Sequence, residues 1–496
     1  MRYLTVYQAQ FTMLQRLLFA FACLLFTTSI MSQDYPAEWK KIAQLNQEGK
    51  YRSALEAADK IYSLAEQQGD VDEQLKALFH RAAYTGQLEE DGQEALIDFL
   101  GNTLSEQSNE TFLAVNHFVL ARAYFQYLQQ ARNRGTQEDN ESTDPETPLA
   151  EWSIARIANT GADHLLQSLE LAENANVRLN RIPAIVNRGE RLEFQRPTLY
   201  DVLVYDALNL MNRYSGYLIE PTYAFRPTAE LLLAEAGNFK VAKFESNDSS
   251  FLFRATLIYQ NLLKKYHNDP TSKSTYVYAD LQRLNWAYGQ RNDEKLLFTR
   301  LSDLHSNYQG NEGAGDVLLR LVQLMQQHPE LGYTGDPKEN KINVRVLKLL
   351  EDVQRIYPES LEAYQAGSQI EAIKRPYLRL LTEKVNLPNQ HLLVNVNYQN
   401  LEELHYRLLP REFSLEDEQE NIRTRLANLL KLNPLQSDRI RLGKNDDYAN
   451  HSTEIALAPL QPGHYDLLVS GSSTFDLTKA PVHAIKIEVS ALGMMQ

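Results

Sequence analysis

Residues His391 to Pro410 read HLLVNVNYQNLEELHYRLLP. Leu392, Val394, Val396 and Tyr398 fall on one side of an extended chain and Leu393, Asn395 and Asn397 on the other, because side chains alternate across a strand with period two. After a short polar break, Leu404, Tyr406 and Leu408 alternate in the same way with Glu403, His405 and Arg407. The stretch predicts two strands in succession, each with one buried face. Nearly everything before it has helical spacing, so it marks a change of architecture.

On the C-terminal side, the period of two is expected to begin at Ile370, with a first strand over 377–387 and later ones over 439–442, 455–460, 464–470 and 482–489. A charged helix is expected to interrupt them over 415–432. Gln461-Pro-Gly463 supplies a turn, and Tyr465, Leu467 and Val469 point inward, as do Ile485, Ile487 and Val489 in the last strand. Short strands at such spacing, mostly separated by turn signals, predict one antiparallel β-sandwich over 369–492.

On the N-terminal side, residues 33–368 read as an α-helical region, making the chain an α + β multidomain protein. Trp39, Ile42 and Leu45 share one helix face, Leu55, Ala58, Tyr62 and Ala65 the next, and Leu75, Leu78, Phe79 and Ala82 a third, with breaks at Gly49-Lys-Tyr51 and Gln68-Gly-Asp70. Gly49-Lys-Tyr-Arg-Ser-Ala-Leu55 is similar to the turn of a tetratricopeptide repeat, but the period is not sustained, so a repeat-like array and an irregular α-bundle both remain open. The run RNRGTQEDNESTDPETP over 132–148 lacks apolar periodicity and predicts a flexible loop. Helix is expected again from Glu151 to Ala175. Pro197 is placed at the start of a helix whose buried stripe is Leu199, Val202, Leu203, Ala207, Leu208 and Met211. Further helices are predicted over 251–266, 272–288, 293–308, 313–327 and 341–357, with a short strand or ordered loop at Asn238–Phe244. The array is expected to end near Pro358.

A length of 496 residues implies two to four domains, and 43% hydrophobic with 23% charged residues is a globular composition. The net charge of −14 offers no basic field for nucleic acid. The single cysteine, Cys23, lies in a leader: Arg16 precedes the apolar run Leu17–Phe26, and Thr-Thr-Ser-Ile-Met-Ser32 leads to a polar start. This reads as a secretory signal over 1–32, with Met13 an alternative start. A mature chain without cysteine would have neither disulfide nor thiol nucleophile. The expected place is the periplasm or cell envelope of a Gram-negative bacterium. Acylation at Cys23 would give a membrane anchor, but the apolar run continues past it, and a soluble exported protein is the default.

The sequence contains no Walker loop, dinucleotide turn, His-Glu-x-x-His, nucleophile elbow or calcium loop, so neither enzymatic activity nor a cofactor or metal is expected. Three features invite a functional reading. His464 and Asp466 share a strand face and would make two metal ligands, although a solvated strand face explains them more simply. Glu89, Glu90 and Asp91 resemble an acidic site, but acidic residues at a helix start have the same look. The 27 tyrosines would suit a glycan or peptide surface, or equally a helical core with wet hydroxyls.

Several segments resemble the amino-terminal part of the large bacterial alpha-2-macroglobulin-family proteins of the Bacteroidetes type. They are Trp39-Lys-Lys-Ile42 with Ser53-Ala-Leu55, Pro197-Thr-Leu-Tyr-Asp-Val-Leu203 with Asp206-Ala-Leu208, Ile258-Tyr-Gln-Asn-Leu-Leu263, Leu387-Pro-Asn389, Val396-Asn-Tyr-Gln-Asn400 and Pro462-Gly-His-Tyr465. The resemblance implies a helical region followed by macroglobulin-like sandwiches in a broad-spectrum endopeptidase inhibitor. Its partners would be proteases or other envelope proteins, with further macroglobulin-like domains if this chain is the front piece of a longer protein. The chain departs from the family in having neither a bait region nor a Gly-Cys-Gly-Glu-Gln thioester. The alternative expectation is an envelope protein similar to the starch-utilisation glycan-capture lipoproteins.

Overall fold

The computed structural model describes residues 35–89, 91–133, 147–186, 192–218, 224–245, 250–267, 269–333, 335, 341–383, 386–411, 422–443 and 445–491. The expected signal over 1–32, with Cys23, lies outside these residues, as does most of the predicted loop at 132–148. Helices dominate, and two small antiparallel sheets lie toward the C terminus. The described residues form two compact units, one within Met1–Ala224 and Asp248–Ala255, the other within Phe225–Asn247 and Thr256–Gln496.

The first unit contains α1 (Tyr35–Gln47), α2 (Tyr51–Gln68), α3 (Val71–Leu88), α4 (Gly92–Ser105), α5 (Glu110–Asn133), α6 (Ile154–Ala175), the single turn α7 (Leu192–Gln195) and α8 (Leu199–Tyr214). Successive helices from α1 to α6 pack on their chain neighbours, and α8 packs on α6. The predicted break at Gly49 is a left-handed turn, with φ at 70°. The following helices differ in length, and no tetratricopeptide-like repeat is evident among the described residues. Where α5 and α6 pack, a β-carbon on Gly161 would come within 3.3 Å of Phe125 Cε2 and Tyr124 Cβ.

Pro197 does not begin a helix. Thr198 is the N-cap of α8, and Asp201 completes a capping box: its carboxylate accepts from Thr198 N at 2.9 Å and from Thr198 Oγ1 at 2.6 Å. Of the expected α8 stripe, Leu199, Leu203, Ala207, Leu208 and Met211 are buried, whereas Val202 is half-buried.

In the second unit come α9 (Ala229–Leu232), α10 (Ala236–Val241), most of α11 (Phe251–His267), α12 (Lys273–Gln290), α13 (Glu294–Asn307), α14 (Ala314–Gln327), α15 (Ile342–Ile356) and α16 (Leu361–Lys374). Two expectations are corrected here. The stretch expected as a strand or loop over Asn238–Phe244 is largely the helix α10, because Phe239 must turn inward to sit under the guanidinium of Arg283, 4.5 Å from its ring centre. The helical array does not end near Pro358. Ser360 caps a further helix, α16, accepting from Ala363 N at 3.1 Å, so Ile370 is helical and the strands begin only at Tyr377.

Strands β1 (Tyr377–Leu381), β2 (Leu392–Gln399) and β5 (His451–Leu457) form one sheet in the order β1-β2-β5. Strands β4 (Gln436–Arg441), β3 (Glu403–Arg411), β6 (Gly463–Ser470) and β7 (Val482–Val489) form the other, in the order β4-β3-β6-β7. Every ladder is antiparallel, with Leu380 opposite Val396 in the first sheet and Leu408 opposite Leu467 in the second. The alternation read in the opening stretch holds: Leu392, Val394, Val396 and Tyr398 are buried, as are Leu404 and Leu408. One apolar cluster takes side chains from both sheets, including Leu380, Val394 and Ile455 from the first and Leu408, Val469 and Ile487 from the second.

The two strands of that stretch follow one another without pairing. At Asn400, left-handed with φ at 54°, the chain leaves one sheet for the other. Asn400 Nδ2 donates to Ile373 O at 2.7 Å and Arg375 O at 3.2 Å, and Gln399 Nε2 donates to Ile373 O at 3.2 Å and Tyr448 O at 2.9 Å. This corner therefore supplies donors to the carbonyls that the C-terminus of α16 leaves without helical partners.

Candidate functional site

One recess begins where α16 ends. Pro376 cannot continue a helix and pushes Arg375 into extended conformation, ψ 128°, so the chain turns directly into β1. Along β1 the pleat turns Leu378 and Leu380 inward and leaves Tyr377 and Arg379 outside. On β2, Gln399 lies opposite Tyr377 and Asn397 opposite Arg379. With Asn450 ahead of β5, these side chains line a recess of about 460 Å³. Arg375 and Arg379 supply fixed positive charge, three amides supply donors and acceptors, and Tyr377, 43% exposed, supplies an aromatic face. That set suits hydroxyl-rich or carboxylate-bearing groups; the lining includes no nucleophile or general base.

A second recess, of about 450 Å³, is lined by Lys240, Val241, Ala242, Lys243, Lys264 and His267 and is basic. Burial holds the Lys240 ammonium below its usual range.

In the first unit, His117 of α5 and His164 of α6 meet with their Nδ1 atoms 2.9 Å apart. Burial lowers both, His117 to about 4 with the neighbouring His164 ring adding to the effect, while Asp163 works against the shift in His164. Both rings are thus neutral at pH 7, one donating and the other accepting. Tyr124 stacks on His164 at 5.7 Å and on Trp152 at 6.1 Å, and Arg156 lies 3.8 Å from the Trp152 ring centre. The arrangement packs α5 against α6.

The residues singled out in the sequence go elsewhere. Asp466 does not lie on a solvated strand face: it is 2% exposed, beneath α17 (Ile422–Leu429), paired with Arg425 and 3.9 Å from Arg411. Two arginines neutralise the carboxylate, which removes it as a metal ligand alongside His464. The predicted helix over 415–432 is α17 in its described part, and its Leu426 and Leu429 cover Leu409 and Leu468 on the outer side of the second sheet. Asp91 stands at the N-cap of α4 and Glu89 at the C-cap of α3, both exposed, while Glu90 lies outside the described residues. Many tyrosines are core: Tyr62, Tyr205, Tyr259 and Tyr278, among others, are buried, whereas Tyr333, Tyr364 and Tyr377 are exposed. The recess at Arg375 was missed because its lining comes from three separate segments. The outward alternation of Tyr377 and Arg379 was its only signal in the sequence.

Among the described residues no helix is long and apolar enough to cross a membrane. Comparison with protein-family models and with curated protein sequences gives no match.

Proposed function

We propose that this protein is a non-enzymatic, exported interaction module, the amino-terminal part of an alpha-2-macroglobulin-like endopeptidase inhibitor. Its two C-terminal sheets are read as one macroglobulin-like antiparallel sandwich. The observation that carries the reading is the apolar cluster drawn from both sheets, directly after a long helical region, in the order the family resemblance implies. The recess at Arg375 and Arg379 is assigned as a polar contact surface for the partner. Surface plasmon resonance of the full chain against a panel of endopeptidases tests this. Saturable binding to a protease, weakened in R375A/R379A, is expected; no binding to any member of the panel overturns it.

The alternative, an envelope glycan-binding protein, is favoured by the lining of that recess, where one exposed tyrosine lies among three amides. It requires acylation at Cys23. A product that takes up no radioactive palmitate and binds no oligosaccharide removes it.

A further inference from the structure

Glu294, His328 and Glu330 each bring a ligand atom to within 4.8 Å of the other two. They come from separated positions. Glu294 opens α13 just after its N-cap Asp293, whereas His328 ends α14, its N–H closing on Leu324 O at 2.9 Å, and Glu330 follows in the next turn. No spacing in the sequence announces the group.

We propose that these three side chains bind a divalent transition-metal ion of the zinc type at the end of α14. The donor set is mixed, one imidazole nitrogen and two carboxylates, which suits zinc and its neighbours better than magnesium or calcium, whose sites are built of oxygen alone. The imidazole is already oriented for this. Tyr288 Oη lies 3.4 Å from His328 Nε2, leaving Nδ1 toward Glu330 Oε1 at 3.8 Å. A polar partner on the ring's second nitrogen is the usual companion of a metal-bound histidine. The segment carrying Glu330 is fixed on both sides, since Arg345 donates to the carbonyls of Pro329 and Leu331.

Electrostatics point the same way. Two carboxylates face one another here, and among the described residues neither Glu294 nor Glu330 has a lysine or arginine partner. A divalent cation would turn that repulsion into attraction. The His328 side chain is 31% exposed and that of Glu330 60%, so the ion would stand at the surface and complete its coordination with water.

Isothermal titration of the chelator-stripped full chain with Zn²⁺ in excess Mg²⁺ tests the site. One equivalent is expected, with affinity falling about tenfold or more in H328A and in E294Q. E294Q replaces a partly exposed side chain by its isostere and so keeps the test valid if H328A fails to fold. H117Q, which breaks the other histidine cluster, is expected to bind as the unaltered protein does. The proposal is overturned if the unaltered protein binds no Zn²⁺, if E294Q binds it equally well, or if binding disappears in H117Q.

Discussion

Replacing Arg283 by methionine should destabilise the second unit far more than its distance from any recess suggests. The guanidinium is fully buried and hydrogen-bonded at all three nitrogens: Nε donates to Asp280 Oδ1 at 2.7 Å, Nη1 to Leu232 O at 2.6 Å and Nη2 to Ala234 O at 2.9 Å, and the group lies over Phe239. It thereby ties the segment with α9 and α10 to α12. Methionine fills much of the same volume, so the expected loss is chiefly electrostatic. Asp280, whose side chain is only 5% exposed, would keep a buried charge without its partner, which costs about 3–5 kcal/mol. In R283M/D280L the stranded charge is gone and only the two carbonyls lose donors, at about 1 kcal/mol each. The double variant should therefore be more stable than the single one. Urea unfolding of the full chain measures the loss, and hydrogen exchange of peptides over 229–242 localises it, since those amides should lose protection first. A loss below about 1 kcal/mol in R283M, or a double variant less stable than the single, would refute the reasoning.

Other consequences are open to measurement. T198A removes the hydroxyl from a buried capping box, and a loss of about 1–2 kcal/mol is expected in urea unfolding. If the two sheets pack through one core, L408A should cost about 2–5 kcal/mol, while L393A on an exposed position of β2 should change stability by less than about 0.5 kcal/mol. For the histidine pair the sign is fixed by the lowered folded-state values. Below the ordinary value of 6.5 the unfolded chain binds protons that His117, at about 4 when folded, refuses, so this contribution to stability is whole above pH 6.5 and declines as pH falls toward 4. Tm should fall across that window, and less steeply in H117Q.

The fold was legible where a side chain's surroundings come from its own strand or helix. In His391–Pro410 alternation identified Leu392, Val394, Val396, Tyr398, Leu404 and Leu408 as buried, because the covered face of a strand leaves its pattern in the chain. Strand 482–489 was legible to its ends for the same reason. Alternation did not reach Leu409, which is buried on the opposite face under α17. Ser360 shows where such reading fails. A helix-capping signal stood in plain view, yet the few residues after Ile370 suited period two, and a short window cannot separate the two periods. In Asn238–Phe244, Phe239 is drawn into a helical turn by Arg283, a residue far along the chain whose position no local propensity carries.

What the sequence determined by itself was the division into a helical region and a strand-rich end, together with the inward faces of the strands, since burial periodicity is a local property. What only the tertiary structure decided was which groups meet. Asp466 is sealed under α17 by Arg425, the recess at Arg375 draws on β1, β2 and Asn450, and Glu294 faces His328 and Glu330. Those meetings depend on where helices end and how segments distant in sequence pack, and no spacing along a single chain encodes them.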